Sequence, residues 1–193
     1  MTTVLPRNQI PTEQQWNAES IFATPPEWQT AASAAPEEIN RLARFQGHLD
    51  DSPQTLLDAL QTQEDIMRRV AKVYIYAQMN ANADTTDAAF DEMSGQARAL
   101  FGRFMATASF MDPEILAIGQ DRLNEWMAQD AKLAVYKQYF ENLFRKQAHV
   151  RSAEVEEVLG LAAEPFGNIP NTENALTNAD LVFRSATNSQ GEA

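Results

Sequence analysis

With 193 residues the chain is long enough to bury roughly 70% of its unfolded surface in one core. Its formal charge of −12 works against binding nucleic-acid phosphates or an anionic lipid surface, so neither nucleic acid nor membrane is an expected partner. Cysteine is absent, which excludes disulfides, thiolate metal sites and thiol nucleophiles, and 7 glycines in a chain that is 44% hydrophobic favour helices over a turn-rich β fold.

The amino terminus, Met1 to Asn8, has neither the basic nor the apolar region of a secretory signal, and no apolar run approaches the ~20 residues of a spanning helix. The expected location is therefore the cytoplasm. Residues 1–25, with Pro6, Pro11, Pro25 and Pro26, read as an extended lead-in whose Trp16, Ile21 and Phe22 pack onto the body. A helix is predicted from Trp28 to Phe45, with Thr24 as its cap, proline in the first turn and Gly47 just past its end. Its apolar stripe becomes clear only at Ile39, Leu42 and Phe45.

Ser52-Pro53 is a strong helix start, after which Leu56, Leu60, Met67, Val70, Tyr74 and Ala77 recur at helical intervals. The polar run Asn80 to Asp84 reads as a break. Thr86 can then cap a second long helix with Phe90, Met93, Ala97, Leu100, Phe104 and Ala108 on one face. Two long helices with a short connection predict an antiparallel hairpin. Asp112-Pro113-Glu114 reads as cap, first-turn proline and acidic residue of a short helix ended by Gly119, and Leu123, Trp126 and Met127 as a further turn or two. Asp130 opens a helix carrying Leu133, Tyr136, Phe140 and Leu143. Ser152 opens another, with Val155, Val158, Leu159 and Ala162 inward and Gly167 as its stop, and a last helix spans Pro170 to Asn178.

The carboxy-terminal residues differ in kind. Leu181-Val182-Phe183 is a short β-like run and Thr187 to Gly191 has hairpin-turn composition, but no second strand follows. A lone strand leaves its backbone donors and acceptors unpaired, so the expectation is that another chain or a continuation of this one supplies the partner. The fold class is thus all-α: a multi-helix bundle with a long antiparallel hairpin, an extended lead-in over 1–25, a helical lobe over 26–179 and the start of a strand and turn over 180–193.

No catalytic, cofactor-binding or metal-ligating residues are expected. His48 and His149 are the two histidines; Phe45 and Lys146 stand three residues before them, so the Glu-x-x-His element of di-iron bundles is missing, as is His-Glu-x-x-His. Glu37-Glu38, Glu64-Asp65 and Glu154 with Glu156-Glu157 fall in first turns or on polar faces, where they complement helix dipoles. No Gly-x-Ser-x-Gly, P-loop or Gly-x-Gly-x-x-Gly occurs. Among the aromatics Tyr74 and Tyr136 fit core stripes, whereas Tyr76 and Tyr139 fall off them. Those two are the candidates for lining a groove, against the plainer alternative of half-buried packing.

Several segments in order carry a resemblance: Arg7-Asn8-Gln9-Ile10-Pro11 with Trp16, Val73-Tyr74-Ile75-Tyr76-Ala77, Asp84-Thr85-Thr86, and Ser109-Phe110 with Pro113-Glu114. They continue with Arg145-Lys146 and His149, Leu159 to Pro165, Asn174-Ala175-Leu176 and Asn178 to Phe183. Collinear over nearly the whole chain, these resemble the amino-terminal part of oligoendopeptidase F, a thimet-oligopeptidase-like zinc metallopeptidase. The resemblance implies a helical lobe that packs on a carboxy-terminal catalytic domain and walls a channel admitting short oligopeptides, with Tyr76 and Tyr139 as candidate channel-lining residues. It also implies that zinc, its ligands and the catalytic Glu belong to that other domain and have no counterpart here. The rival expectation is a stand-alone helical interaction module without enzymatic activity.

Overall fold

The computed structural model describes residues 9–147 and individual positions between 155 and 181. The lead-in is not simply extended, because short 3-10 turns form at Thr12–Gln14 and Ala18–Ser20. Ile21 and Phe22 pack against the body as expected, but Trp16 stands 57% exposed.

Helix α1, Pro25–Leu42, begins where the Thr24 hydroxyl accepts the Glu27 N–H at 3.4 Å while the Glu27 carboxylate reaches back to the Ala23 N–H. It runs through Pro36, whose ring removes one backbone donor from its interior. A 3-10 turn over Ala43–Phe45 follows, and Gly47 leaves at φ +79°, a conformation that costs glycine least. The buried stripe of α1 starts earlier than the spacing suggested, at Trp28, Ala32 and Ala35.

Helix α2, Pro53–Ala83, starts with the Ser52 hydroxyl accepting the Thr55 N–H at 3.0 Å. The break expected over Asn80 to Asp84 comes at the far end of that run, and Asn80 itself is still helical. Asn80 is buried and its side-chain amide donates back to the Tyr76 carbonyl at 2.9 Å, so this polar residue is satisfied within the helix. The turn comes at Asp84, whose carboxylate accepts both the backbone N–H and the hydroxyl of Thr86, holding Asp84 below the ordinary carboxylate range. With its hydroxyl used there, Thr86 is not the cap. Asp87 caps helix α3, Ala88–Ala108, accepting from the N–H groups of Ala89 and Phe90.

Helix α4, Met111–Ile118, starts one residue before Asp112, with Phe110 at its cap position and no side-chain cap. Gly119, at φ +88°, separates it from α5, Gln120–Gln129. The single helix expected from Asp130 is two. Asp130 caps α6, Ala131–Ala134, by accepting the Lys132 N–H at 2.8 Å, and after a break at Val135 and Tyr136 the chain continues as α7, Lys137–Arg145.

The α2–α3 hairpin is antiparallel: Ser94 near the start of α3 donates to Gln78 near the end of α2 at 2.6 Å. Helix α1 packs across both. Two apolar clusters result. The larger joins Ile39, Leu56, Leu60, Phe104, Ile115, Leu123, Leu133 and Phe140, and the smaller joins Ala18, Trp28, Ala32, Val73, Tyr76, Ala77 and Ala97. On α2 the buried side is rotated from the expected one: Met67 is 36% exposed and Tyr74 half-buried, while Ile66, Val73 and Tyr76 are interior. Neighbours on two sides widen the buried arc beyond a single stripe.

Near the carboxy terminus Val155, Val158 and Leu159 are helical but exposed, not inward, and Ala162 is half-buried. Leu181 lies in no strand; its backbone N–H donates to the Leu176 carbonyl at 2.8 Å. Ser152, Gly167, Asn178, Val182, Phe183 and the expected hairpin turn lie outside the described residues. Among the described residues there is no strand, and no helix is long and apolar enough to cross a membrane.

The capping geometry makes a direct prediction. Asp87→Ala lowers stability by about 1 kcal/mol, the usual worth of an N-cap, while Thr86→Ala costs less than half as much. Urea unfolding of the two variants separates them.

Candidate functional site

The two tyrosines singled out in the sequence occupy different parts of the molecule. Tyr76 faces inward from α2 because residues 73, 76, 77 and 80 share the side that α1 and α3 cover, and it is 4% exposed. The Phe22 ring meets it edge-on, with centroids 5.5 Å apart, and the Trp28 indole N–H donates to the Val73 carbonyl one turn away at 2.8 Å. Burial, and then the charges of Glu19 and Glu27, push its hydroxyl pKa up. The expectation that Tyr76 falls off the core face is therefore corrected.

Tyr139 sits on α7 beside Phe140, ring centroids 5.5 Å apart, against the larger cluster. It is half-buried, and its hydroxyl donates to the Asp112 carboxylate, tying α7 to the first turn of α4. Burial and the Asp112 charge drive its pKa far above that of a free tyrosine. Asp112, read in the sequence as a helix cap, serves here instead. The structure thus does not bring Tyr76 and Tyr139 together.

The remaining tyrosines are also cross-links. Tyr74 lies over Phe101 at 5.4 Å and its hydroxyl accepts from Gln78, which in turn accepts from Ser94, a polar run between α2 and α3. Tyr136, at the α6–α7 break, is set against Glu64 and Asp65 of α2, and burial followed by the Glu64 charge and hydrogen bond raises its pKa to about 12.

Metal-ligand geometry is not available in these residues. His48 is exposed and its Nδ1 lies 3.0 Å from Asp51. Glu38 is paired with Arg69 at 2.6 Å. Among the described residues no three His, Asp or Glu side chains converge. His149, Glu154, Glu156 and Glu157 lie outside them.

A feature that sequence reading missed is a groove between α1 and α2. Ala31, Ala34 and Ala35 form one wall, Phe22 and Val73 close it, and Glu38, Arg69 and Lys72 stand on its rim. The alanines at i, i+3 and i+4 were its sequence signal, but small residues at that spacing ordinarily mean close helix packing.

Tyr136 gives a pH prediction with a definite sign. Its folded pKa is raised, so the stability from its neutral form is fully present below the unfolded value near 10 and is lost as pH rises towards about 12. Tyr136→Phe, which cannot ionise, is expected to lose less stability than the parent chain between about pH 9 and pH 11.5 in parallel urea titrations.

Comparison with known proteins follows this architecture closely. The family model described as "Oligopeptidase F" matches residues 114–183. Group B oligopeptidase PepB of Streptococcus agalactiae is 37% identical over 96% of the chain, which spans 31% of that protein. Oligopeptidase PepF of Bacillus subtilis is 30% identical over 96% of the chain and is spanned for 28% of its length. The crystal structure of oligoendopeptidase-F from Enterococcus faecium superimposes with a TM-score of 0.79 at 30% identity, covering 86% of this chain and 32% of that one. The chain spans about a third of the length of the relatives it matches. In sequence and in fold it matches the amino-terminal region of the oligoendopeptidase F family.

Proposed function

We propose that the chain is the helical amino-terminal lobe of a zinc metalloendopeptidase acting on short oligopeptides in the cytoplasm, and that it walls the substrate channel instead of supplying catalytic groups. The observation that carries this reading is coverage: 96% of the chain aligns with an oligopeptidase of which it spans 31%.

Surface chemistry supports it. Val158, Leu161, Phe166 and Ile169 are each more than 60% exposed, and Val155, Leu159, Leu176 and Leu181 are exposed by more than 40%. Covering such side chains with a neighbouring domain removes apolar area from water, so these positions are suited to contact with the carboxy-terminal part of a longer enzyme. The described side chains do not fit a zinc site, since the His48–Asp51 pair has no third ligand converging on it. In this reading the zinc ligands and the catalytic Glu stand on the carboxy-terminal domain, and no chemical step is assigned to the residues described here.

Tyr139 and Tyr76 have different parts in the wall. Tyr139 is half-buried and anchored by Asp112, which suits it to a fixed place in that wall. Tyr76 acts from beneath, holding Phe22 in place. The rival reading, a stand-alone interaction module, draws on the same exposed flank.

A chimera separates these alternatives. The chain replaces the matching amino-terminal third of the Bacillus subtilis relative, and the product is assayed on a short quenched peptide alongside the isolated chain with zinc. The expected outcome is cleavage by the chimera and none by the chain alone. Chelator-sensitive cleavage by the chain alone overturns the wall assignment. An inactive chimera, with the isolated chain a stable monodisperse monomer, favours the stand-alone module.

A further inference from the structure

The groove between α1 and α2 combines two properties. Its walls are apolar, from Ala31, Ala34, Ala35, Phe22 and Val73, and it holds a volume of about 190 Å³. Its rim carries two cations against one carboxylate, in a chain whose net charge is −12. The two rim cations are not equivalent. Arg69 is held by Glu38 at 2.6 Å, whereas Lys72 is exposed and has no ion-pair partner among the described residues.

We infer that this groove binds the carboxy-terminal residue of a peptide, its apolar side chain between α1 and α2 and its carboxylate on the Lys72 ammonium. The small volume selects one side chain instead of a long acyl chain. Lys72 precedes the lining residue Val73 on α2, which places a cation beside the apolar slot, as a side chain and carboxylate sharing one Cα require. An apolar slot this size holds water poorly, so its displacement favours binding. The Glu38–Arg69 pair bridges the two helices at the rim of the groove. This inference stands on the α1–α2 geometry and is independent of the peptidase reading.

The Trp28 indole reports on the groove because its N–H is bonded to the carbonyl of Val73. The ¹⁵N-labelled full chain is titrated with N-acetyl-leucine, with N-acetyl-leucine amide and with hexanoate. Saturable shifts are expected at the Trp28 indole and the Val73 amide with N-acetyl-leucine. The amide, lacking the charge, is expected to bind at least about threefold more weakly, as suits an exposed charge contact. Lys72→Met brings the acid down to the level of the amide and leaves the amide unchanged. Ala34→Leu, at an exposed helical position that leucine tolerates, fills the slot and abolishes both. Equal binding of acid and amide overturns the role of Lys72, and shifts that do not saturate or that persist in Ala34→Leu overturn the site. Hexanoate binding more tightly than N-acetyl-leucine overturns the peptide assignment. The Lys72→Met comparison stands whether or not Ala34→Leu folds.

Discussion

Helix α2 serves both hydrophobic clusters at once, and every other element is positioned by that. At 31 residues it is about 45 Å long, too long for one compact core to cover. Its amino-terminal part contributes Leu56, Leu57, Ala59, Leu60, Ile66 and Val70 to the larger cluster, and the following turn gives Val73, Tyr76 and Ala77 to the smaller. Helix α1 is laid across the junction, with Ile39 and Leu42 in one cluster and Trp28 and Ala32 in the other. The Trp28 indole bond to the Val73 carbonyl fixes how those two helices meet, because a buried indole N–H without a partner would be costly.

Polar groups are placed so that they also hold the helices in register. Glu114 accepts the Gly47 N–H at 2.7 Å and Arg122 donates to the Asp50 carbonyl at 2.9 Å, so the α1–α2 connection is clamped by α4 and α5. The Arg122 guanidinium also lies 4.7 Å from the Trp126 ring, which adds a cation–π contact to the same clamp. Three tyrosines work similarly: Tyr139 ties α7 to α4, Tyr136 is drawn to Glu64 on α2, and Tyr74 leads through Gln78 to Ser94 on α3. Burial first, and then the facing carboxylates, push the pKa values of Tyr136 and Tyr139 upwards, and the same contacts tie these residues to neighbouring helices. The larger cluster together with these ties makes this part of the bundle stiff.

Much of this was legible in the residues because it rests on local chemistry. Thr24 with its first-turn proline, Ser52-Pro53, Gly47 and Gly119 mark helix ends through backbone donors and φ preferences that act within four residues, and each marks an end in the structure. Helical spacing gave the long hairpin for the same reason. The misreadings share a physical origin. Thr86 lost the cap to Asp87 because its hydroxyl was taken by Asp84, and Asn80 stayed helical because its amide found the Tyr76 carbonyl. Both are competitions between near neighbours that composition alone does not rank.

The sequence by itself determined the helical class, the principal helix ends, the absence of thiol chemistry and the collinear likeness to an oligopeptidase family, since these depend on residue identity and short spacing. Tertiary structure alone decided which side of α2 is interior, and so reversed Tyr74 and Tyr76. A helix of period 3.6 presents several apolar arcs, and only the neighbours on either side choose among them. It alone also opened the α1–α2 groove, because three alanines leave space only when a second helix lies opposite them at a set distance. The exposed Val155, Val158, Leu159 and Leu161 follow the same logic: their spacing says helix, but burial requires a surface to lie against, and the described residues of the bundle do not provide one.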